Sequence, residues 1–258
     1  MPTAILVIYT NEGFAAISDG RAMGTDGRVN SQKEQKIFPI RSSSCSLVFG
    51  VAGTASLLDK APKWDNKPRK DVFKQIYCDL IKRLPAQSFT SLGQYADSFV
   101  AAAKGQIFPY LNDTVFKSKS NLKMIFAGYF KRVPSTSERT ISIGWNFFST
   151  IAGIDHRPAQ IHEPCVVDSP KITDRLLHTH DFAQFETTGF RKIYEGDPSL
   201  SLSEAIEAGK RYIDTCETQK ARDLDEYCKT IGGDKSVATI TSAEGFKWIE
   251  PPVCPYLL

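Results

Sequence analysis

The chain has 258 residues, with 41% hydrophobic and 24% charged residues and a net charge of +3 from 32 basic and 29 acidic side chains. This usage excludes long disorder and collagen-like repeats, and the length suits one large core. The two signs are interleaved rather than gathered into a patch or tail, so nucleic-acid binding has no electrostatic support. No stretch reaches the roughly 18 to 20 apolar residues of a membrane helix, and the start lacks the basic region of a signal peptide. A cytoplasmic protein without membrane contact is the expectation. Six cysteines, Cys45, Cys78, Cys165, Cys216, Cys228 and Cys254, show no CxxC spacing and read as reduced thiols rather than a disulfide framework.

In chain order, residues 4–9 form a β-branched apolar run closed by Asn11-Glu12-Gly13, and residues 14–17 return as a second strand. Residues 37–40 and 46–51 predict two more strands, the latter ending in a small-residue, glycine-rich segment. One-faced apolar spacing predicts a helix over 71–84 and another over 91–108, stopped by Pro109. Val72, Tyr77, Leu92 and Phe99 look too numerous for one core, which predicts apolar surface left over for assembly. Strands follow at 122–129, 140–147 and 161–167, then a helix at 172–185. Ser201 or Ser203 starts a helix running to about residue 222, and a hairpin over 237–241 and 246–249 closes the chain. Strands at both ends, with helices between and after them, predict an α+β fold of two stacked antiparallel sheets covered by helices. No linker divides the chain, so a single domain over 1–258 is expected, with 251–258 as a tail.

Thr3 opening the first strand, Asp19-Gly20-Arg21-Ala22 after the second, Lys36 before the third and Gly50-Val51-Ala52-Gly53 in the fourth stand in an informative order. This pattern resembles the opening of a proteasome β subunit, of the N-terminal-nucleophile hydrolases, with one extra residue between Arg21 and Lys36. Gly232-Gly233 and the final hairpin resemble the family's closing segment. The resemblance implies a four-layer α/β/β/α sandwich, a threonine-type hydrolase of peptide or amide bonds, and a homo-oligomer, with a ring among the expected forms. It needs no cofactor.

In that chemistry the nucleophile's own α-amine serves as base, because a free amine with a pKa near 8 can take the hydroxyl proton. Thr3, Asp19 and Lys36 are the catalytic candidates, Lys36 supplying positive charge that favours the alkoxide and Asp19 holding it. The Gly50 N–H is assigned to the oxyanion, Arg21 and Asp223 to support, and Ala22 to the strand edge where an extended peptide substrate would pair. Met1-Pro2 then reads as a minimal propeptide, since an amide nitrogen at Thr3 cannot act as base. Two positions depart from the family pattern. Cys228 and Ile231 stand where active members carry Asp and Ser before the glycine pair, and no counterpart of a further family Ser occurs between 160 and 200. A catalytically inactive structural subunit is therefore the competing reading, and a small-amide amidase the third. The His178-Thr179-His180-Asp181 cluster reads as a polar helix end, not a metal site.

Overall fold

The computed structural model describes residues 4–24, 27–42, 45–53, 72–107, 122–131, 137–144, 154–158, 165–167, 199–224 and 226–253. Thr3, the helix expected at 172–185 and the His178–Asp181 cluster lie outside the described residues.

The fold is mixed α and β, with antiparallel sheets. In the first sheet, β1 (Ile5–Thr10) and β2 (Gly13–Ser18) form the expected hairpin. The two-residue strand β3 (Ala22–Met23) pairs with β4 (Val29–Ser31) as a separate ribbon. The second sheet begins with β5 (Ile37–Ser42) and β6 (Cys45–Gly53) and continues through β7 (Leu122–Lys131), β8 (Ser137–Gly144) and β9 (Ile154–Pro158) in that order. Helices α1 (Val72–Arg83) and α2 (Leu92–Ile107) lie between β6 and β7 in the chain. After β10 (Cys165–Val167) come α3 (Leu202–Glu217), α4 (Gln219–Leu224), β11 (Ser236–Thr241) and β12 (Gly245–Glu250). The first sheet runs β10-β1-β2-β11-β12, so β1 is internal and both chain ends meet in one sheet.

Strand alternation sorts the apolar residues into three buried clusters. Ile5, Val7, Phe14 and Ala16 of the first sheet pack with Ile37, Val48 and Ile125 of the second. The other face of β5–β7, with Phe38, Phe49 and Phe126, meets Phe73 and Tyr77 of α1 and Tyr95 and Phe99 of α2. Leu6, Ile8 and Ile17 meet Ala208, Tyr212 and Ile213 of α3. Of Val72, Tyr77, Leu92 and Phe99, expected not to face one core together, Tyr77, Leu92 and Phe99 are all fully buried in the one helix-side cluster, while the Val72 side chain lies outside the described residues. Two helices side by side over a five-stranded sheet offer more buried area than a single amphipathic stripe suggests.

Several boundaries differ from the sequence expectation. The strand 154–158 was not anticipated, and only 165–167 of the 161–167 run is described as strand. The expected helix 201–222 is broken at Thr218, whose backbone is extended at φ −70°, ψ 149°. Its hydroxyl donates to Thr215 O at 2.8 Å and accepts from Ala221 N–H at 3.2 Å, so one side chain closes α3 and opens α4. Ser201, not Ser203, caps α3. Its hydroxyl accepts from Glu204 N–H while the Glu204 carboxylate accepts from Ser201 N–H, and Glu12 accepts from Leu202 N–H. Removing one such cap commonly costs about 1 kcal/mol, so Ser201→Ala should lower stability by about that amount in urea titrations without altering the fold.

Candidate functional site

The sequence pairs two residues 17 apart, and the strands bring them together. Asp19 follows β2 and is fully buried, while Lys36 precedes β5 with its side chain 4% exposed. The Lys36 ammonium donates to Asp19 Oδ1 at 2.7 Å and to the Arg21 carbonyl at 2.7 Å. The same Oδ1 accepts from the Ala4 N–H at 3.0 Å, and Oδ2 accepts from the N–H groups of Arg21 and Gly232 at 3.3 and 3.1 Å. Four donors thus converge on one carboxylate, the arrangement that makes a buried anion tolerable. Burial lowers the Lys36 pKa below the ordinary lysine range. The Asp19 charge and hydrogen bond oppose that shift, and the Arg21 charge adds to it.

Arg21 acts on the frame of the site. Its guanidinium donates to the Ile231 and Lys229 carbonyls at 2.8 and 3.3 Å, to Glu217 at 2.8 Å and to Gln32 Oε1 at 3.1 Å. Glu217, the last residue of α3, also accepts from Gly233 N–H at 3.1 Å. The fork therefore ties the turn at 229–233 to α3 and to the β3–β4 ribbon. Gly232 is required at its position: its φ is +138°, and a Cβ there would run into the Glu217 carboxylate. Sequence reasoning missed Glu217 and Gln32, since neither belongs to the pattern near Asp19. The glycine pair was the only signal pointing to the turn they brace.

The remaining assignments separate. Gly50 lies inside β6, opposite Ile37 of β5 and Ile125 of β7. Val51 N–H donates to the Lys36 carbonyl at 3.0 Å, so by antiparallel alternation the Gly50 N–H is directed at β7, into the ladder. The glycine's place there is steric, as a Cβ would meet Ile125 at 2.6 Å and Ile5 at 3.3 Å. Asp223 is on the exposed face of α4, where it accepts from Gln219 Nε2 at 2.7 Å. Asp223 is not among the residues bonded to Asp19, Lys36 or Arg21. Cys228 is fully buried in the apolar cluster under α3. Ala22 pairs with Ser31 in the β3–β4 ribbon and is partly exposed. One further buried cation stands close to the site: Lys74 of α1 forms an ion pair with Glu34, two residues before Lys36.

No group of three His, Cys, Asp or Glu suited to a metal occurs among the described residues, and no described helix is long and apolar enough to cross a membrane. No family model matches the chain, and no curated protein matches it in sequence. Its fold does match solved structures. Anbu (ancestral beta-subunit) from Yersinia bercovieri is similar at a TM-score of 0.56 and 13% identity, over 96% of this chain and 86% of that one. Anbu from Hyphomicrobium sp. strain MC1 gives 0.57 and 11%, over 96% and 87%. The helical assembly of the Anbu complex from Pseudomonas aeruginosa gives 0.58 and 9%, over 98% and 88%. At these identities the likeness concerns the fold alone. It corrects the family expectation: the neighbours are Anbu proteins, not proteasome β subunits. The Asp-x-Arg-Ala, Lys and glycine-rich elements describe how one N-terminal strand and one buried Asp–Lys pair are held.

Proposed function

We propose that the chain is a hydrolase of the N-terminal-nucleophile type, acting on peptide or amide bonds, with Thr3 as nucleophile once Met1-Pro2 has been removed. The observation that carries this reading is the double use of Asp19 Oδ1, which binds both the Lys36 ammonium and the Ala4 N–H. Thr3 is covalently bonded to that Ala4 nitrogen, so the oxygen that orients the charge also anchors the residue next to the nucleophile. A fixed ammonium beside a hydroxyl favours its deprotonated form, and the freed α-amine takes the proton. Asp19 and Lys36 carry this role and Arg21 positions their backbone. Ala22 offers the strand edge to an extended substrate, while Gly50 and Asp223 keep only structural parts.

The overall arrangement belonging to this reading is one domain over 1–258 in a four-layer α/β/β/α sandwich. The three clusters, one between the sheets and one outside each, support it. A homo-oligomer is part of the same proposal, and the Pseudomonas aeruginosa Anbu complex described as a helical assembly gives it a precedent in the fold. The competing reading is a non-catalytic structural subunit. Its support is Cys228, a buried apolar-cluster residue where a polar partner of the nucleophile would stand.

Intact-mass measurement combined with Thr3→Ala decides between them. For the hydrolase, the purified protein should lack Met1-Pro2, and Thr3→Ala should abolish cleavage of fluorogenic peptides or small amides. A protein that keeps Pro2 and yet hydrolyses such substrates would place the chemistry elsewhere.

A further inference from the structure

At the other end of the two sheets, roughly 15 to 20 Å from Lys36 at about 3.3 Å per strand residue, the structure holds a cavity of about 290 Å³. It lies between the adjoining ends of β5 and β6 and the β11–β12 turn. Arg41, Ser46 and Tyr129 lie directly opposite one another across β5, β6 and β7, so their side chains leave the sheet on one face and line one wall. The other sheet contributes Phe246 and Gly245.

Three features make this a built site rather than a crevice. The Arg41 guanidinium rests over the Phe246 ring, 5.0 Å from its centroid, and no carboxylate pairs with it among the described residues. The Ser46 hydroxyl is buried with no hydrogen-bond partner among the described residues, a state that ordinarily costs free energy unless a ligand or water satisfies it. Gly245, at φ +70°, packs close to that hydroxyl, since a Cβ there would come within 3.0 Å of Ser46 Oγ. The acidic residue at the rim, Glu244, is already engaged by Lys247 at 3.3 Å. Tyr129 supplies a second aromatic wall, its hydroxyl's pKa raised by burial.

We propose that this cavity binds a small carboxylate, its oxygens taken by the Arg41 fork and the Ser46 hydroxyl and its apolar part lying against Phe246 and Tyr129. A planar guanidinium with an aromatic shelf suits a planar anion, and the volume lies at the small end of ligand pockets, which start near about 300 Å³. The site is remote from Asp19 and Lys36 and does not rest on the hydrolase reading.

Calorimetric titration of the full chain with acetate, butyrate and benzoate, each against its neutral amide, tests it. At least one carboxylate should bind saturably at one per chain, with its amide at least about 10-fold weaker, the scale of a hydrogen bond to a charged group. Arg41→Gln should weaken that carboxylate about 10-fold or more and Ser46→Ala about 3- to 10-fold, while Thr3→Ala binds as the parent does. Arg41 is exposed, so its variant keeps the test valid should Ser46→Ala fold poorly. Absence of saturable binding by all three acids, equal binding of acid and amide, or unchanged affinity in Arg41→Gln overturns the proposal.

Discussion

Asp19→Ala is expected to lower stability by about 3 to 5 kcal/mol, the usual cost of stripping one member from a buried ion pair. The carboxylate is the acceptor for the Ala4, Arg21 and Gly232 N–H groups as well as for the Lys36 ammonium. Without it three backbone donors and one cation remain in a pocket closed to water. The alanine also frees the start of β1 and the turn at 229–233 from each other, because the one carboxylate accepts from both Ala4 N–H and Gly232 N–H, the latter 213 residues from Asp19 in the chain. Asp19→Asn should be milder in packing but still costly, since its amide would present N–H groups to donors. Thermal melts should show Asp19→Ala lower by on the order of 10 °C. A variant melting within 2 °C or so of the parent would mean that the four hydrogen bonds contribute little, and the account of the site would have to be abandoned.

On the proposed hydrolase reading, Lys36→Ala is expected to reduce hydrolysis by roughly 100- to 10,000-fold, the range in which a positioned charge or proton-transfer group acts. The distinguishing readout is pH. In the parent, activity should rise as the α-amine near pH 8 loses its proton and fall at higher pH as Lys36 loses its charge. Burial lowers the Lys36 pKa, so this alkaline limb should begin below the 10.5 of an ordinary lysine. Lys36→Ala should retain the acid limb in whatever activity remains and lose the alkaline one.

Stability carries the same titration with a definite sign. A lysine with a lowered native pKa binds fewer protons folded than unfolded between the two values, so stability rises with pH across that window. The cost of burying the charge is fully present below the native pKa and disappears as pH approaches the unfolded value. The parent should therefore gain stability relative to Lys36→Met as pH rises toward the ordinary lysine value of 10.5. A difference between the two that is flat from pH 7 to 10 would show that Lys36 does not titrate in this range.

The Asp19–Lys36 pair was read from the resemblance to the opening of a proteasome β subunit, and the structure joins the two across the β3–β4 ribbon, Asp19 following β2 and Lys36 preceding β5. The strands 5–10, 13–18 and 236–241 were legible in the sequence, since β-branched runs bounded by glycine and polar turns have few other ways to satisfy their backbone. The α3 start was legible to within two residues, and the capping geometry chose Ser201 over Ser203.

Tertiary structure decided what depends on register and on distant packing. Gly50 could be assigned to an oxyanion only while its neighbours were unknown. Pairing with Ile37 and Ile125 turns its N–H into the ladder and gives the glycine a steric reason instead. Asp223 fits a family context in the sequence, yet the break at Thr218 starts a new helix and leaves it exposed. Arg21 meets Glu217 and Ile231 across 196 and 210 residues, contacts for which no local signal exists because chain folding alone brings them together. The branch of the fold was equally out of reach. A few residues around one buried ion pair encode how that pair is held, whereas likeness to Anbu emerges only when the backbone is compared over 96% of the chain or more. The row Arg41, Ser46 and Tyr129 is likewise invisible in sequence, being assembled by the register of three strands.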